Sequence, residues 1–224
     1  CSGLVGSEMC IRDSNMAIQN IAVLGAGQMG NGITQVAAAA GYNVTMIDIQ
    51  QEYVDKGLAT IERSLSKLVS KERMSQKDAE ATLARISLST DRADCADCDL
   101  VVEAVPEIVD LKTSIFAELD SICKPETILA SNTSSISIST IANATNRPDK
   151  VIGMHFMNPV PIMKLVEVIN GNKTSSETNA AVIEASEKMG KIALSCNDSP
   201  GFVSNRILCP MLNEAILTLQ ELSL

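Results

Sequence analysis

The chain has 224 residues, enough for one full domain and part of another, and its 46% apolar content supports a substantial hydrophobic core. The formal net charge of −9 argues against broad binding to nucleic acid or to an anionic membrane surface. No apolar run approaches the roughly 18 residues of a membrane span. We therefore expect neither a nucleic acid nor a membrane as partner.

The first fifteen residues differ in character from the rest of the chain. Residues 1–15 show no helical or strand period, and they lack the basic start and long apolar centre of a secretory signal. Met16 leads directly into the first predicted strand, as a native start would. We expect residues 1–15 to be a non-native leader and the first domain to span residues 16–199.

A glycine-rich turn follows the first predicted strand, the apolar run at residues 21–24. Gly25, Gly27 and Gly30 have the Gly-x-Gly-x-x-Gly spacing, and a helical pattern continues from there. Gly25 allows a tight turn, Gly27 lets the backbone approach a pyrophosphate, and Gly30 lets the helix pack closely on the strand. The free N–H groups of the helix then face the phosphates. The alternative interpretation is an ordinary glycine-rich turn.

A second predicted strand, residues 42–48, ends in an acid. Asp48 follows Gly25 at about the spacing of roughly 20 residues expected for the carboxylate that binds the adenosine ribose hydroxyls. A carboxylate there would repel a 2′-phosphate, so the pattern favours NAD over NADP. The alternative is that Asp48 caps the next helix.

Two helices are predicted next, at residues 53–74 and 75–85, with Ser75 as the N-cap of the second. They carry a basic cluster in an acidic protein, formed by Lys67, Lys71, Arg73 and Lys77. The cluster is interpreted either as a solvated helical face or as a clamp for a phosphate-bearing part of a substrate.

The remaining chain alternates apolar runs with helical patterns. Strands are predicted at residues 86–90, 100–105, 127–131, 151–156, 163–169 and 192–195, and helices at residues 111–122, 138–142 and 176–189. This alternation predicts an α/β fold with a doubly wound, mostly parallel sheet, into which the helix pair is inserted. The strand at 163–169 is expected to join the edge in the reverse direction. Ligands bind at the carboxyl ends of such strands, where the sequence places Glu103, Asn132, Ser134 and His155.

The cysteines indicate a reducing compartment. Five of the seven are scattered through the α/β pattern, which is typical of free thiols in a cytoplasmic protein. Cys95 and Cys98 have the spacing of a redox or zinc pair, but no second pair of ligands accompanies them. No metal site is predicted.

His155 is the single histidine of the chain. A hydrogen-bonded core histidine is one interpretation. The other starts from Glu167, which lies across a proline-stiffened turn on a strand that can run back beside His155. A carboxylate bonded to one imidazole nitrogen fixes the tautomer and leaves the other nitrogen as a general base. Beside NAD, this arrangement suits oxidation of an alcohol, with Ser134 and Asn205 donating hydrogen bonds to the developing carbonyl oxygen.

A last helix is predicted at residues 202–222, and it is apolar over much of its circumference. Such a helix needs packing partners. We therefore expect an all-α C-terminal domain to begin near residue 200, with residues 200–224 forming its first helix and the remainder cut off.

Several segments together resemble the L-3-hydroxyacyl-CoA dehydrogenases, especially the bacterial 3-hydroxybutyryl-CoA dehydrogenases. The resemblance covers about residues 18–222. Its segments are residues 25–30 (GAGQMG), 100–105 (LVVEAV), 131–135 (SNTSS), 155–161 (HFMNPVP), 164–168 (KLVEV) and 200–206 (PGFVSNR). It implies a Rossmann fold, a place in fatty-acid metabolism and NAD-dependent oxidation of an L-3-hydroxyacyl-CoA, of short chain, to the 3-ketoacyl-CoA.

The resemblance also implies roles for individual residues. Those implied in catalysis are His155 as base, Glu167 as its partner, and Ser134 and Asn205. Those implied at the NAD site are Gly25, Gly27, Gln28, Met29, Gly30, Asp48, Glu107, Lys112, Asn132 and Ser134. Those implied at the acyl-CoA site are Ser64, Lys71, Ser134 and Asn205.

Family members continue into a helical domain that completes the acyl pocket and forms a homodimer interface. We therefore expect the full-length protein to be a homodimer and this chain to have low activity or none. Two alternatives stay open. One is a related dehydrogenase of free hydroxy acids or sugar acids, which needs no coenzyme A clamp. The other is a dinucleotide-binding module without turnover.

Overall fold

The computed structural model describes residues 18–222. The expected leader, residues 1–15, lies outside this part of the chain. The strands are β1 (Asn20–Leu24), β2 (Asn43–Ile47), β3 (Ile86–Ser89), β4 (Leu100–Glu103), β5 (Ile128–Ser131), β6 (Val151–Phe156), β7 (Leu165–Asn170) and β8 (Ile192–Asn197). The helices are α1 (Gln28–Ala39), α2 (Gln51–Ser70), α3 (Gln76–Leu83), α4 (Val109–Ile122), α5 (Ile138–Ala142), α6 (Ser176–Lys188) and α7 (Ser204–Leu222).

The eight strands form one sheet in the order β3-β2-β1-β4-β5-β6-β7-β8. All neighbours are parallel except β6 and β7, which are antiparallel. The order reverses between β1 and β4, which creates a crevice at the carboxyl ends of these strands where ligands bind in such sheets. The predicted doubly wound, mostly parallel α/β fold is confirmed.

The core lies on both faces of this sheet because successive strand residues point to opposite sides. In β1, Ile21 and Val23 belong to an apolar cluster that includes side chains of α1 and α6, whereas Ala22 and Leu24 belong to one that includes side chains of α4 and α5. A third apolar cluster joins α2 and α3 to the sheet through Val54, Ile61 and Leu65, which are buried on one face of α2. The sheet is therefore covered by helices on both sides, as parallel strands require.

Several element boundaries differ from the predicted ones. Helix α2 ends at Ser70 and not near Met74, because Glu72 has a φ of +57° and the left-handed backbone cannot continue a helix. Helix α7 starts at Ser204 for the same reason, since Phe202 has a φ of +50°. The predicted cap of α3 is confirmed, because the Ser75 hydroxyl accepts a hydrogen bond from the Asp78 N–H at 3.1 Å.

The expected position of the reversed strand needs one correction. Strand β7 does run opposite to β6, but β8 pairs in parallel with β7 along its outer side, so β8 and not β7 forms the edge of the sheet. The cause is the α6 connection, which returns the chain to start β8 beside the beginning of β7. Beyond β8, helix α7 contains no buried residue and exposes apolar side chains along its length.

Candidate active site

The glycine turn joins β1 to α1 and has no room for side chains at two of its positions. Gly25 has a φ of +98°, and a Cβ there would lie 2.6 Å from the Ala104 carbonyl oxygen. A Cβ on Gly30 would lie 1.6 Å from the Gly25 carbonyl oxygen. At Gly27 no heavy atom lies within 4 Å of an added Cβ. Gly27 therefore borders open space that a bound group can occupy.

Asp48 ties the end of β2 to this turn. Its Oδ2 accepts a hydrogen bond from the Ala26 N–H at 2.7 Å, and its Oδ1 accepts one from the Ile49 N–H at 2.7 Å. The residue at the N-cap of α2 is Gln50, so the alternative role of Asp48 as a helix cap does not apply to α2. The carboxylate is half-buried at the mouth of the crevice, where it can also accept hydrogen bonds from ribose hydroxyls.

A cleft of about 870 Å³ opens beside the turn. This volume lies within the range of roughly 300 to 1,000 Å³ typical of cofactor sites. Its walls include the glycine turn, Asp48, Tyr53, Arg92 and the Val105–Pro106 segment after β4. The vacant side of Gly27, the free N–H groups at the start of α1 and the carboxylate of Asp48 together fit a dinucleotide such as NAD.

A buried ionic network lies at the carboxyl ends of β4 and β5. The Lys112 ammonium, with a side chain that is 1% exposed, contacts Glu103 Oε1 at 2.6 Å and Glu107 Oε2 at 3.2 Å. Glu103 is fully buried and also accepts hydrogen bonds from the Ser131 hydroxyl at 2.6 Å and the Val105 N–H at 2.7 Å. Every charged group in this network therefore has a partner, as burial demands.

Glu107 connects this network to the loop after β5. Its Oε1 accepts hydrogen bonds from the Thr133 hydroxyl, from the Ser134 N–H at 3.0 Å and from the Ser135 N–H at 3.2 Å. Partial burial raises the pKa of Glu107, but the Thr133 hydrogen bond and the charge on Lys112 outweigh it and lower the pKa below its ordinary value. The carboxylate is therefore ionised at neutral pH and holds the loop that carries Ser134.

His155 and Glu167 face each other across the antiparallel β6–β7 pair. The two residues are direct register partners, and His155 Nδ1 lies 2.8 Å from Glu167 Oε2. Glu167 is fully buried, which raises its pKa, but hydrogen bonds from Ser204 and His155 lower it below the ordinary value. An ionised carboxylate can only accept, so Nδ1 carries the proton, and in the neutral imidazole the lone pair is on Nε2. Among residues 18–222, no hydrogen bond to Nε2 is present.

The predicted catalytic residues come together around this pair. The Asn205 Nδ2 group donates to the Ser134 carbonyl oxygen at 3.2 Å, which joins the start of α7 to the loop after β5. The Phe202 ring lies 5.9 Å from the His155 ring, measured between centroids. Asn132 Oδ1 accepts from the Phe156 N–H at 2.9 Å. Residues from four distant segments thus form one cluster.

Two residues at the candidate site were not assigned a role from the sequence. Asn158 Oδ1 accepts from Gln28 Nε2 at 3.1 Å, which links the glycine turn to the loop after β6. Its position three residues after His155, inside a segment already singled out, was the available signal. Ser204 contacts Glu167 through both its hydroxyl and its N–H, and no sequence pattern indicated this contact.

Ser64 and Lys71 lie apart from this cluster. They stand on the second half of α2 and at its C-cap, and among residues 18–222 no hydrogen bond or ion pair connects them to the cluster. The basic cluster is exposed, and none of its members, Lys67, Lys71, Arg73 and Lys77, forms an ion pair with a described residue. The helix pair therefore carries four exposed basic side chains that form no ion pair with a described residue.

The Cys95–Cys98 pair is structural. Both thiols are buried in the core with Cys123, and burial raises the pKa of Cys98 to about 11. Thiols held protonated in this way are poor nucleophiles and metal ligands.

Within residues 18–222, no helix combines the length and the apolar content needed to cross a membrane.

Comparison with known proteins gives consistent results. The family model for "3-hydroxyacyl-CoA dehydrogenase, NAD binding domain" matches residues 20–199. A probable 3-hydroxybutyryl-CoA dehydrogenase of Deinococcus radiodurans is 57% identical over 199 residues, covering 89% of this chain and 71% of that protein. A protein of the same description from Bacillus subtilis is 51% identical, covering 92% and 72%. The crystal structure of (S)-3-hydroxybutyryl-CoA dehydrogenase from Ralstonia eutropha superposes with a TM-score of 0.90 at 49% identity, covering 92% of this chain and 72% of that one.

Proposed function

Because this chain belongs to the 3-hydroxyacyl-CoA dehydrogenase family, we propose that it interconverts L-3-hydroxyacyl-CoA and 3-ketoacyl-CoA with NAD, acting on short acyl chains such as 3-hydroxybutyryl. The reaction is an oxidation of a secondary alcohol in one direction and a ketone reduction in the other. The observation that carries the proposal is the His155–Glu167 pair, a buried carboxylate 2.8 Å from the only imidazole of the chain.

In the proposed mechanism, His155 is the general base. Glu167 stays ionised and fixes the Nδ1–H tautomer, so Nε2 can take the proton of the substrate hydroxyl. The glycine turn and Asp48 would hold NAD, which would supply the hydride acceptor for the carbon that bears this hydroxyl. Ser134 and Asn205 hold the substrate oxygen, and the Glu107 network keeps the loop that carries Ser134 in one position. The positive charge that develops on the imidazole is stabilised by the carboxylate beside it.

We assign the remaining predicted residues to binding. The NAD site comprises Gly25, Gly27, Gln28, Met29, Gly30, Asp48, Glu107, Lys112, Asn132 and Ser134. Asn158, which contacts Gln28, joins that set. The acyl-CoA site comprises Ser64, Lys71, Ser134 and Asn205. The exposed lysines of the helix pair support a contact with the phosphates of coenzyme A, because an ammonium that forms no ion pair is free to attract them.

The proposal extends to domain organisation and setting. Residues 16–199 form the NAD-binding domain, and a helical domain for substrate binding and dimerisation begins at about residue 200. Exposed apolar side chains along α7 support a packing partner for that helix. The five cysteines among residues 18–222 are free thiols, which supports a cytoplasmic location.

The experiment that tests the function compares two oxidants of NADH. The chain is assayed with acetoacetyl-CoA and with free acetoacetate, and the loss of NADH absorbance is followed. The proposal predicts turnover with the thioester and a much lower kcat/KM with the free acid, since only the thioester reaches the basic cluster. Equal rates would favour a dehydrogenase of free hydroxy acids. NADH binding without turnover of either compound, both in this chain and in a version extended by the helical C-terminal domain of a relative, would identify a binding module.

A further inference from the structure

We infer that Ser204 is a positioning residue for the His155–Glu167 pair, an inference that rests on the proposed function. The Ser204 hydroxyl donates to Glu167 Oε2 at 2.9 Å. This is the same oxygen that accepts the hydrogen bond from His155 Nδ1 at 2.8 Å. Ser204 therefore contacts the acid that orients the base and does not itself reach the reacting atoms.

The contacts of Glu167 show what the hydroxyl adds. Its other oxygen, Oε1, accepts hydrogen bonds from the Val203 N–H at 3.1 Å and the Ser204 N–H at 2.8 Å. These are the free N–H groups at the start of α7, so the carboxylate of β7 also caps that helix. Any residue at positions 203 and 204 except proline can supply those two bonds. The hydrogen bond from the Ser204 hydroxyl, in contrast, requires a side chain that carries a hydroxyl group.

The arrangement gives each carboxylate oxygen two donors. The terminal torsion of a glutamate is broad, so the plane of an unrestrained carboxylate rotates easily. Two backbone donors hold Oε1, and the hydroxyl and the imidazole together hold Oε2 in that plane. Without the hydroxyl, rotation of the carboxylate is opposed at Oε2 by the imidazole alone. We therefore expect the tautomer and orientation of His155 to be fixed less firmly.

A matched pair of substitutions isolates the hydroxyl. Ser204→Thr keeps it and Ser204→Val replaces it with a methyl group of the same shape. Ser204 is half-buried, so both branched side chains can be accommodated at the start of α7. Misplacement of a catalytic group by about 1 Å lowers the rate by up to about 100-fold. For a partial loss of restraint we expect kcat to fall about tenfold in the valine variant and to stay within about twofold of the parent in the threonine variant.

The kinetic test measures kcat and KM for acetoacetyl-CoA and the Kd for NADH in the parent chain and both variants. The positioning role predicts the change in kcat alone, with KM and Kd unaltered. A purely structural role for Ser204 would instead lower the melting temperature or raise KM in both variants equally. Equal kcat values in the two variants would overturn the inference. Should the valine variant fail to fold, Ser204→Ala provides the same comparison with less bulk at the helix start.

A second readout does not require turnover. The chain contains one histidine, so the proton on Nδ1 gives a single imidazole signal in a ¹H–¹⁵N spectrum and needs no assignment. We expect the threonine variant to retain the signal of the parent, and the valine variant to show a shifted or exchange-broadened signal. Unchanged spectra in both variants would overturn the inference. A parent that shows the signal, but no turnover of acetoacetyl-CoA even when extended by the helical C-terminal domain of a relative, would refute the proposed function and leave the contact of Ser204 measurable by itself.

Discussion

The glycine turn and the histidine cluster lie at the same edge of one sheet, but they are built in different ways. The turn is local, since Gly25 and Gly30 are close in sequence and a Cβ at either would collide with nearby backbone. The cluster draws His155 and Glu167 from adjacent strands, and it joins Asn205 at the start of α7 to Ser134 in the loop after β5, 71 residues away. The cofactor half of the site therefore depends on backbone shape, whereas the catalytic half depends on long-range side-chain pairing.

If the two halves are this separate, removing the base should abolish turnover and leave cofactor binding intact. In His155→Ala we expect kcat to fall about 10² to 10⁴-fold, the usual contribution of a general base. The Kd for NADH should match that of the parent, because none of the turn contacts involves His155. Both are measurable on one preparation, by NADH oxidation and by NADH fluorescence. Near-normal kcat would contradict the role of His155 as base.

The ionic network of Lys112, Glu103 and Glu107 connects the two halves of the site. We expect its disruption to lower the free energy of unfolding. In Lys112→Met, the buried carboxylate of Glu103 loses its ion pair. We expect the free energy of unfolding to fall by about 3 to 5 kcal/mol, measured by urea denaturation.

Lys124→Met is the matched control, because the Lys124 side chain is 38% exposed in its ion pair with Asp99. A partly exposed pair near the surface contributes about 0 to 1 kcal/mol. Similar losses in the two variants would show that the buried network is no more important than a surface pair.

The smallest effect is expected at the cofactor half, in its choice of nucleotide. Asp48→Asn removes the negative charge that would repel a 2′-phosphate, so we expect the preference for NADH over NADPH to fall about tenfold. The ratio of the two Kd values measures it. Asp55→Asn on the exposed face of α2 removes the same charge away from the turn. The control should leave the ratio unchanged, and an equal change in both variants would contradict a specific role for Asp48.

The fold could be predicted from the sequence to the extent that local pattern determines it. The apolar runs and glycine spacing gave the strands, their alternation with helices and the turn, because buried parallel strands have continuous apolar runs. The sequence did not reveal that β8 forms the edge, since pairing between strands is not encoded in either strand alone. The C-terminal end of α2 and the start of α7 differ from the predicted bounds because Glu72 and Phe202 have a left-handed backbone. Neither residue type indicates that conformation.

In the candidate site too, contacts set by local sequence could be predicted and contacts set by tertiary packing could not. His155 and Glu167 could be paired from the sequence because a short proline-stiffened turn separates their strands. Glu103 and Ser204 could not be assigned contacts, because their partners Lys112 and Glu167 are reached through tertiary packing. Asn158 was predictable in principle from its nearness to His155, and its contact with Gln28 links the glycine turn directly to the loop after β6.

The antiparallel pairing of β6 with β7 has a consequence for which mutations the enzyme can accept during evolution. The β6–β7 ladder fixes His155 opposite Glu167, while the connecting segment bears exposed apolar side chains at Ile162 and Met163. The buried ammonium of Lys191 donates hydrogen bonds to the Val160 and Met163 carbonyl oxygens and so holds the backbone of this segment in place. New side chains at the two exposed positions can therefore arise by mutation without altering the acid–base pair, which leaves the chemistry constant while the surface beside it evolves.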